Sequence, residues 1–196
     1  MNASELKAGC KAFEEHEVRD AMYKTATFLV GYFWGKPKEM ADGLGVLLLT
    51  WNQAFYRYGQ MNFDALEDCL SRNQQSIEAF RGRDIVSYTP ADDEEINRLY
   101  NEFLVATQLT DKHSNKRQSP VSVSKALHLL APAFFPLWDD RIARKYGCHY
   151  KYIPFIRKMK EVVQVLGPEV DLRSTGKTLL KLVDEYNYSK FTQKWI

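Results

Sequence analysis

Hydrophobic positions recur at three-to-four spacing along nearly the whole chain, the period of a helix with one buried face. From Ser4 to about Trp34 they are Leu6, Cys10, Phe13, Val18, Met22, Ala26 and Phe28 or Leu29, set among charges, which predicts one or two amphipathic helices. After Pro37, the stretch Lys38 to Tyr58 carries Met40, Leu44, Leu47, Leu48, Trp51, Phe55 and Tyr58, apolar almost all round. It is therefore expected to be the central helix, stopped by Gly59. The aromatic stripe Trp34, Trp51, Phe55 and Tyr58 is assigned to the core.

A further helix is predicted over Asn62 to Phe80, with residues 81–88 as a connection. Thr89-Pro90-Ala91-Asp92 combines a capping side chain, a proline for the first turn and an acid three residues on, the signature of a helix start. Thr110 to Gln118 reads as a polar, basic loop, and Ser119-Pro120 opens the next helix, to about Leu130. Pro132 and Pro136 bend an apolar connector, after which Asp139 or Asp140 is placed to cap a short helix over Ile142 to Tyr146, ended by Gly147. Two last helices, about Ile153–Leu166 and Thr175–Asn187, flank Gly167-Pro168. No alternating strand or internal repeat stands out; Val121-Ser122-Val123 is the best rival strand. The fold class expected is all-α, one domain of about eight helices over residues 1–196.

The chain has 196 residues, 45% of them hydrophobic, enough for one domain with a full core. Its longest apolar run, Leu44 to Trp51, is interrupted by Gly45 and Thr50 and is far short of the roughly 20 residues a membrane span needs. The acidic, unpatterned N-terminus gives no export signal, so the expected location is the cytoplasm. Cys10, Cys69 and Cys148 are odd in number and widely spaced, which predicts reduced, buried thiols. His16, His113, His128 and His149 are too scattered for a metal site, so neither metal nor cofactor is expected.

The net charge of +2 conceals an uneven distribution. Residues 1–111 carry 11 Lys/Arg against 18 Asp/Glu, whereas residues 112–160 carry 11 Lys/Arg against Asp139 and Asp140 alone; residues 161–196 are balanced at 5 and 5. Such asymmetry is the footprint of a phosphate-backbone binder, with Lys112, Lys116, Arg117, Arg141, Arg144 and Lys145 as contact candidates. The alternative is a basic face docked on the acidic half.

The helix Ser122-Val123-Ser124-Lys125-Ala126-Leu127-His128-Leu129-Leu130, followed by Phe135-Pro136-Leu137-Trp138-Asp139-Asp140-Arg141-Ile142, resembles the helix-hairpin-helix DNA glycosylase superfamily. There a hairpin of form Gly-Val-Gly-x-Lys opens a helix, and a connector leads to Pro-Val-Asp-x-His-Val. The resemblance covers about 30 residues. It implies that Lys125 matches the nucleophilic lysine and Asp139 the assisting aspartate, and that Ser122 and Ser124 stand at the positions of the phosphate-binding hairpin glycines. It implies damaged double-stranded DNA as partner, base excision repair as the process, and a base pocket that Trp138 could line. The expected chemistry is attack on a sugar carbon by a neutral amine, favoured by burial and the helix dipole.

A second resemblance lies in Arg144-Lys145-Tyr146-Gly147-Cys148-His149, whose Arg and His are spaced as in HEPN ribonucleases. It implies a helical ribonuclease instead. A non-catalytic helical interaction protein is a third possibility. Gly176-Lys177-Thr178 is not a phosphate loop, because Asp171 occupies the position of the required glycine. Oligomeric state is not legible in the sequence.

Overall fold

The structure, a computed structural model, describes residues 1–170, 172 and 175–196. Asp171, the residue that excludes a phosphate loop, lies outside the described residues. Ten α-helices run through the described residues: α1 (Ala3–His16), α2 (Asp20–Tyr32), α3 (Pro37–Trp51), α4 (Gln53–Tyr56), α5 (Phe63–Arg81), α6 (Asp93–Ala106), α7 (Pro120–Leu130), α8 (Asp140–Lys145), α9 (Tyr152–Leu166) and α10 (Leu179–Asn187). The all-α, single-domain expectation holds, with one contiguous hydrophobic core.

Helix starts are set by local chemistry. Asn2 and Glu5 form a reciprocal capping box at α1, Asn62 caps α5, and Thr89 with Asp92 makes the box that leads through a 3₁₀ turn into α6. Ser119 caps α7 with Pro120 in its first turn, and Thr178 caps α10. The last helix thus begins four residues later than the apolar spacing suggests, because the Thr178 side chain accepts the Lys181 amide. The predicted Lys38–Tyr58 helix is broken at Asn52 into α3 and α4.

Two expectations need correction. The stretches around Gly59 and Thr110 form a small antiparallel sheet of β1 (Gly59–Met61), β2 (Leu109–Asp111) and β3 (Lys116–Arg117), in the order β1-β2-β3. Strands of two or three residues are too short to show alternation. Helix α3 packs against α2, α5 and α7, as a central helix should, but the most completely buried helix is α10. All nine residues of α10 are buried, Lys181, Asp184 and Glu185 among them, and their charges disguised it. In the aromatic stripe, Tyr58 is 55% exposed, while Trp34, Trp51 and Phe55 are only partly buried.

Helix α10 packs against α1 at Gly9, where a Cβ would lie 2.6 Å from a ring carbon of Tyr186 and 2.8 Å from its Cα. Only glycine permits that approach. Gly147, at φ +68°, turns the chain after α8 in a conformation that L-residues rarely adopt. All three cysteines are free; Cys69 and Cys148 are buried and Cys10 is partly so. No described helix is long and apolar enough to cross a membrane.

His128, on α7, is fully buried. Its Nδ1 lies 2.8 Å from the Phe135 carbonyl, which can only accept, so Nδ1 carries the hydrogen and Nε2 accepts from the Tyr23 hydroxyl at 2.9 Å. Burial pushes this imidazole from 6.5 down to about 3. The unfolded chain therefore binds a proton that the fold refuses, and the stabilisation is lost as pH falls from 6.5 towards 3. We expect wild type to lose stability faster than His128→Gln over that window, by up to about 1.4 kcal/mol per pH unit. Urea denaturation at a series of pH values measures the difference, and parallel curves would refute a neutral buried His128.

Candidate functional site

Lys125 and Asp139, 14 residues apart in sequence, line one cleft. Lys125 is the sixth residue of α7, past the first turn, and its Nζ donates to the Trp51 carbonyl at 2.6 Å. That carbonyl belongs to the last residue of α3 and has no partner within its own helix, so the lysine completes the α3 C-terminus. Asp139 is the residue that caps α8: Oδ1 accepts from the Ile142 amide at 2.7 Å, and Oδ2 accepts from the Thr192 hydroxyl at 2.8 Å. Thr192 lies on a six-residue π-helical turn, Tyr188–Gln193, that continues α10.

The cleft encloses about 70 Å³, room for a handful of water molecules. Phe13 and Leu137 give it apolar wall, and Asp184 of α10 adds a second carboxylate. Arg19 grips Glu17 through Nε at 2.7 Å and Nη2 at 2.5 Å, and reaches the Tyr188 hydroxyl at 2.7 Å; all three residues line the same space.

Burial pushes the Lys125 amine from 10.5 down to about 8, with Asp184 and Asp139 opposing the shift. The cause differs from the expected one. A residue in the middle of α7 is beyond the reach of the dipole, which falls off within the first turn. Burial also raises Asp184 from 3.8 to about 7, Lys181 opposing, Asp139 and Glu185 adding to the rise. The cleft therefore holds an amine and a carboxyl group that both change charge near neutral pH.

Behind the cleft lies a buried ion cluster. Lys181, with no exposed surface, sits 2.8 Å from Glu185 and 3.9 Å from both Asp20 and Asp184. Its ammonium is also within 4.3 Å of the Phe13 ring centroid, 4.7 Å of Tyr23 and 5.3 Å of Trp51, an aromatic cage. Lys177 shares Glu185 at 2.8 Å.

Other sequence-based assignments fare differently. Ser122 and Ser124 are fully buried inside α7, not on a phosphate-facing hairpin. The Ser122 hydroxyl accepts from Asn52 at 2.6 Å, and Ser124 bonds the Trp138 backbone, so neither is available to a phosphate. Trp138 lines the cleft but is 3% exposed and stacks on Tyr152 at 5.5 Å, which removes the free face that a flipped base would need.

The basic segment is partly neutralised. Arg144 pairs with Asp140, Arg157 with Asp93 and Lys158 with Glu161, while Arg141 and Lys160 donate to carbonyls. Lys112, Lys116, Lys145 and Lys151 have no side-chain partner among the described residues, and Arg117 reaches Asp111 only at 3.9 Å. Lys112, Lys116 and Arg117 share the β2–β3 hairpin; Lys112 and Arg117 face exposed Arg57 and Tyr58 there. Arg144 and His149 both meet Asp140, but Gly147 ends the helix between them, so the continuous helix of a HEPN motif is not formed. No group of metal ligands is found among the described residues.

Sequence reasoning missed Asp184, Glu17, Arg19, Trp51 and Tyr188. The usable signal for Asp184 was a charge inside the apolar run Leu179–Tyr186. No family model, curated protein or solved structure matches the chain.

The two roles of the Asp139 carboxylate separate by substitution. Asp139→Asn keeps an oxygen for the Ile142 amide and is expected to be near neutral in stability. Asp139→Ala removes the cap and strands the Thr192 hydroxyl, and is expected to cost about 1–2 kcal/mol in urea denaturation. Equal costs for the two would show that the cap does not hold α8.

Proposed function

We propose that this chain is an imine-forming DNA-repair enzyme of the glycosylase and abasic-site lyase kind, with Lys125 as nucleophile. The observation that carries the reading is that Lys125 and Asp139, singled out by the family resemblance, share one cleft with an amine held at about 8. At pH 7 about one such amine in ten is neutral, roughly 300-fold more than for a lysine at 10.5. A neutral amine can still donate one N–H to the Trp51 carbonyl and keep its lone pair for attack.

The substrate class is double-stranded DNA carrying a damaged or missing base. The Lys125 amine adds to the sugar C1′, and loss of water, or of the base, leaves an iminium ion; elimination of the 3′-phosphate then follows. No cofactor is needed, because the amine supplies the electron sink. Asp139, held by two hydrogen bonds, stabilises the positive charge on the sugar electrostatically. Since Trp138 has no free face, the reading leans on the aldehyde chemistry of abasic sugars more than on a stacked base. Phosphate contact is assigned to Lys112, Lys116 and Arg117, and to Lys145 on α8.

Borohydride is expected to trap wild type covalently on an abasic-site duplex. Lys125→Ala should lose the complex while remaining folded and binding DNA, Asp139→Asn should trap at least tenfold more slowly, and Lys116→Ala should trap normally. Trapping that survives in Lys125→Ala would assign the chemistry to another amine; no trapping by wild type would remove the DNA-repair reading.

Binding itself should weaken steeply with salt. Several exposed cations on phosphates give a log–log slope of several units, and each of Lys112→Ala and Lys116→Ala is expected to reduce it by about 1. Fluorescence anisotropy across a salt series reads the slope. An absence of binding at low salt would refute the DNA assignment.

A further inference from the structure

We propose that Asp184 is the proton carrier of the Lys125 cleft, taking the ammonium proton before attack and returning it to the departing oxygen. The inference deepens the imine-forming reading and rests on it for chemistry, but not on DNA as the substrate. It starts from a contrast between two carboxylates in one cleft. Asp139 has both oxygens engaged, one by the Ile142 amide and one by the Thr192 hydroxyl. Asp184 is nine-tenths buried and accepts no side-chain hydrogen bond among the described residues. Its one close cation, Lys181, stands off at 3.9 Å because Glu185 holds that ammonium at 2.8 Å. A buried carboxylate without donors is costly, and protonation relieves the cost.

The groups facing it come from every side: Lys181 and Glu185 on its own helix, Asp20 on α2, Lys125 on α7, Asp139 before α8, and the Glu17–Arg19 pair. Lys181 alone cannot hold Asp184 ionised while also serving Glu185 and Asp20. Burial accordingly raises Asp184 to about 7 and lowers Lys125 to about 8. The two line one cleft without an ion contact within 4.0 Å, so the proton passes between them through water in the cleft, at little cost. Asp139, fixed as a cap, is left with the electrostatic role.

The step balances without a co-reactant. Through a water in the cleft, the ammonium of Lys125 gives a proton to the Asp184 carboxylate, leaving amine and carboxylic acid. The amine adds to an aldehyde carbon, and an amine proton moves to the former carbonyl oxygen, giving a carbinolamine. The acid then protonates that hydroxyl, water leaves as the nitrogen lone pair forms the C=N bond, and the product is an iminium ion with Asp184 ionised again.

The test uses the full chain and two probes small enough for the cleft. Reductive alkylation with glycolaldehyde and cyanoborohydride, read at Lys125 by mass spectrometry, follows iminium formation whether or not DNA is the substrate. Trace acetylation with acetic anhydride reads how much neutral amine is present. In Asp184→Asn, removal of the facing anion should make Lys125 several-fold more reactive to anhydride at pH 7. Alkylation should nevertheless fall on the order of a hundredfold, because the proton carrier is gone. A merely structural role would move both rates in the same direction. Asp184→Ala, with circular dichroism as the folding check, should regain alkylation when formate is added, and this arm decides should the asparagine variant not fold. Alkylation of Asp184→Asn at the wild-type rate, both rates falling together, no rescue by formate, or no wild-type alkylation at Lys125 would each overturn the proposal. Failure to trap abasic DNA alongside normal glycolaldehyde alkylation would instead refute only the DNA reading.

Discussion

The rest of the molecule depends on neutralising one buried cation, the ammonium of Lys181. It sits in the first turn of α10 with no exposed surface, ringed by Phe13, Tyr23 and Trp51 and paired to Glu185. Isolated, such a charge would be prohibitively costly in an apolar interior. Its partners come from four helices: Glu185 on α10, Asp20 on α2, and the aromatic rings on α1, α2 and α3. Satisfying one charge therefore fixes four helices relative to one another. Buried pairs of this kind contribute little net stability, yet removing one partner typically costs about 3–5 kcal/mol. The cluster specifies an arrangement more than it strengthens one.

That arrangement leaves a deficit, and the cleft is where the deficit falls. Lys181 cannot serve Glu185, Asp20 and Asp184 equally, and the 2.8 Å contact goes to Glu185. Asp184 is left facing Lys125, whose own ammonium is spent on the open end of α3. Two groups with opposite charge and shifted titration thus meet in a space of about 70 Å³. Shifted amines and acids of this sort concentrate at reactive sites because their protonation can change near neutral pH.

The C-terminal segment ties the cleft to the rest of the fold. The π-helical turn after α10 delivers Thr192 to Asp139 and Tyr188 to Arg19, and Arg141 holds the Thr192 carbonyl at 2.9 Å. π-helical insertions displace side chains from the ordinary helical register. Here the displacement brings two polar side chains to the edge of the cleft from a helix whose remaining residues are core.

The sequence by itself determined the helical class and most helix boundaries, because these are written locally. Ser119-Pro120 and Thr89-Pro90 satisfy end amides within a few residues, and Asp139 caps the segment it precedes. The three short strands escaped, since two or three residues carry no period. The burial of α10 escaped for a different reason. Lys181, Asp184 and Glu185 read as a solvated face until partners as distant as Asp20 and Phe13 are brought to them, and no local pattern encodes a neutralising contact across more than 150 residues. The same holds for Ser122 and Ser124, whose hydroxyls turn inward only because Asn52 and the Trp138 backbone are there to meet them. The basic segment, conspicuous as composition, is partly neutralised in the fold, because Arg157 finds Asp93, an acid that a count along the chain cannot place beside it. Capping and turning are settled by neighbours in sequence. Which charges are buried, and what they face, was decided only when the helices packed.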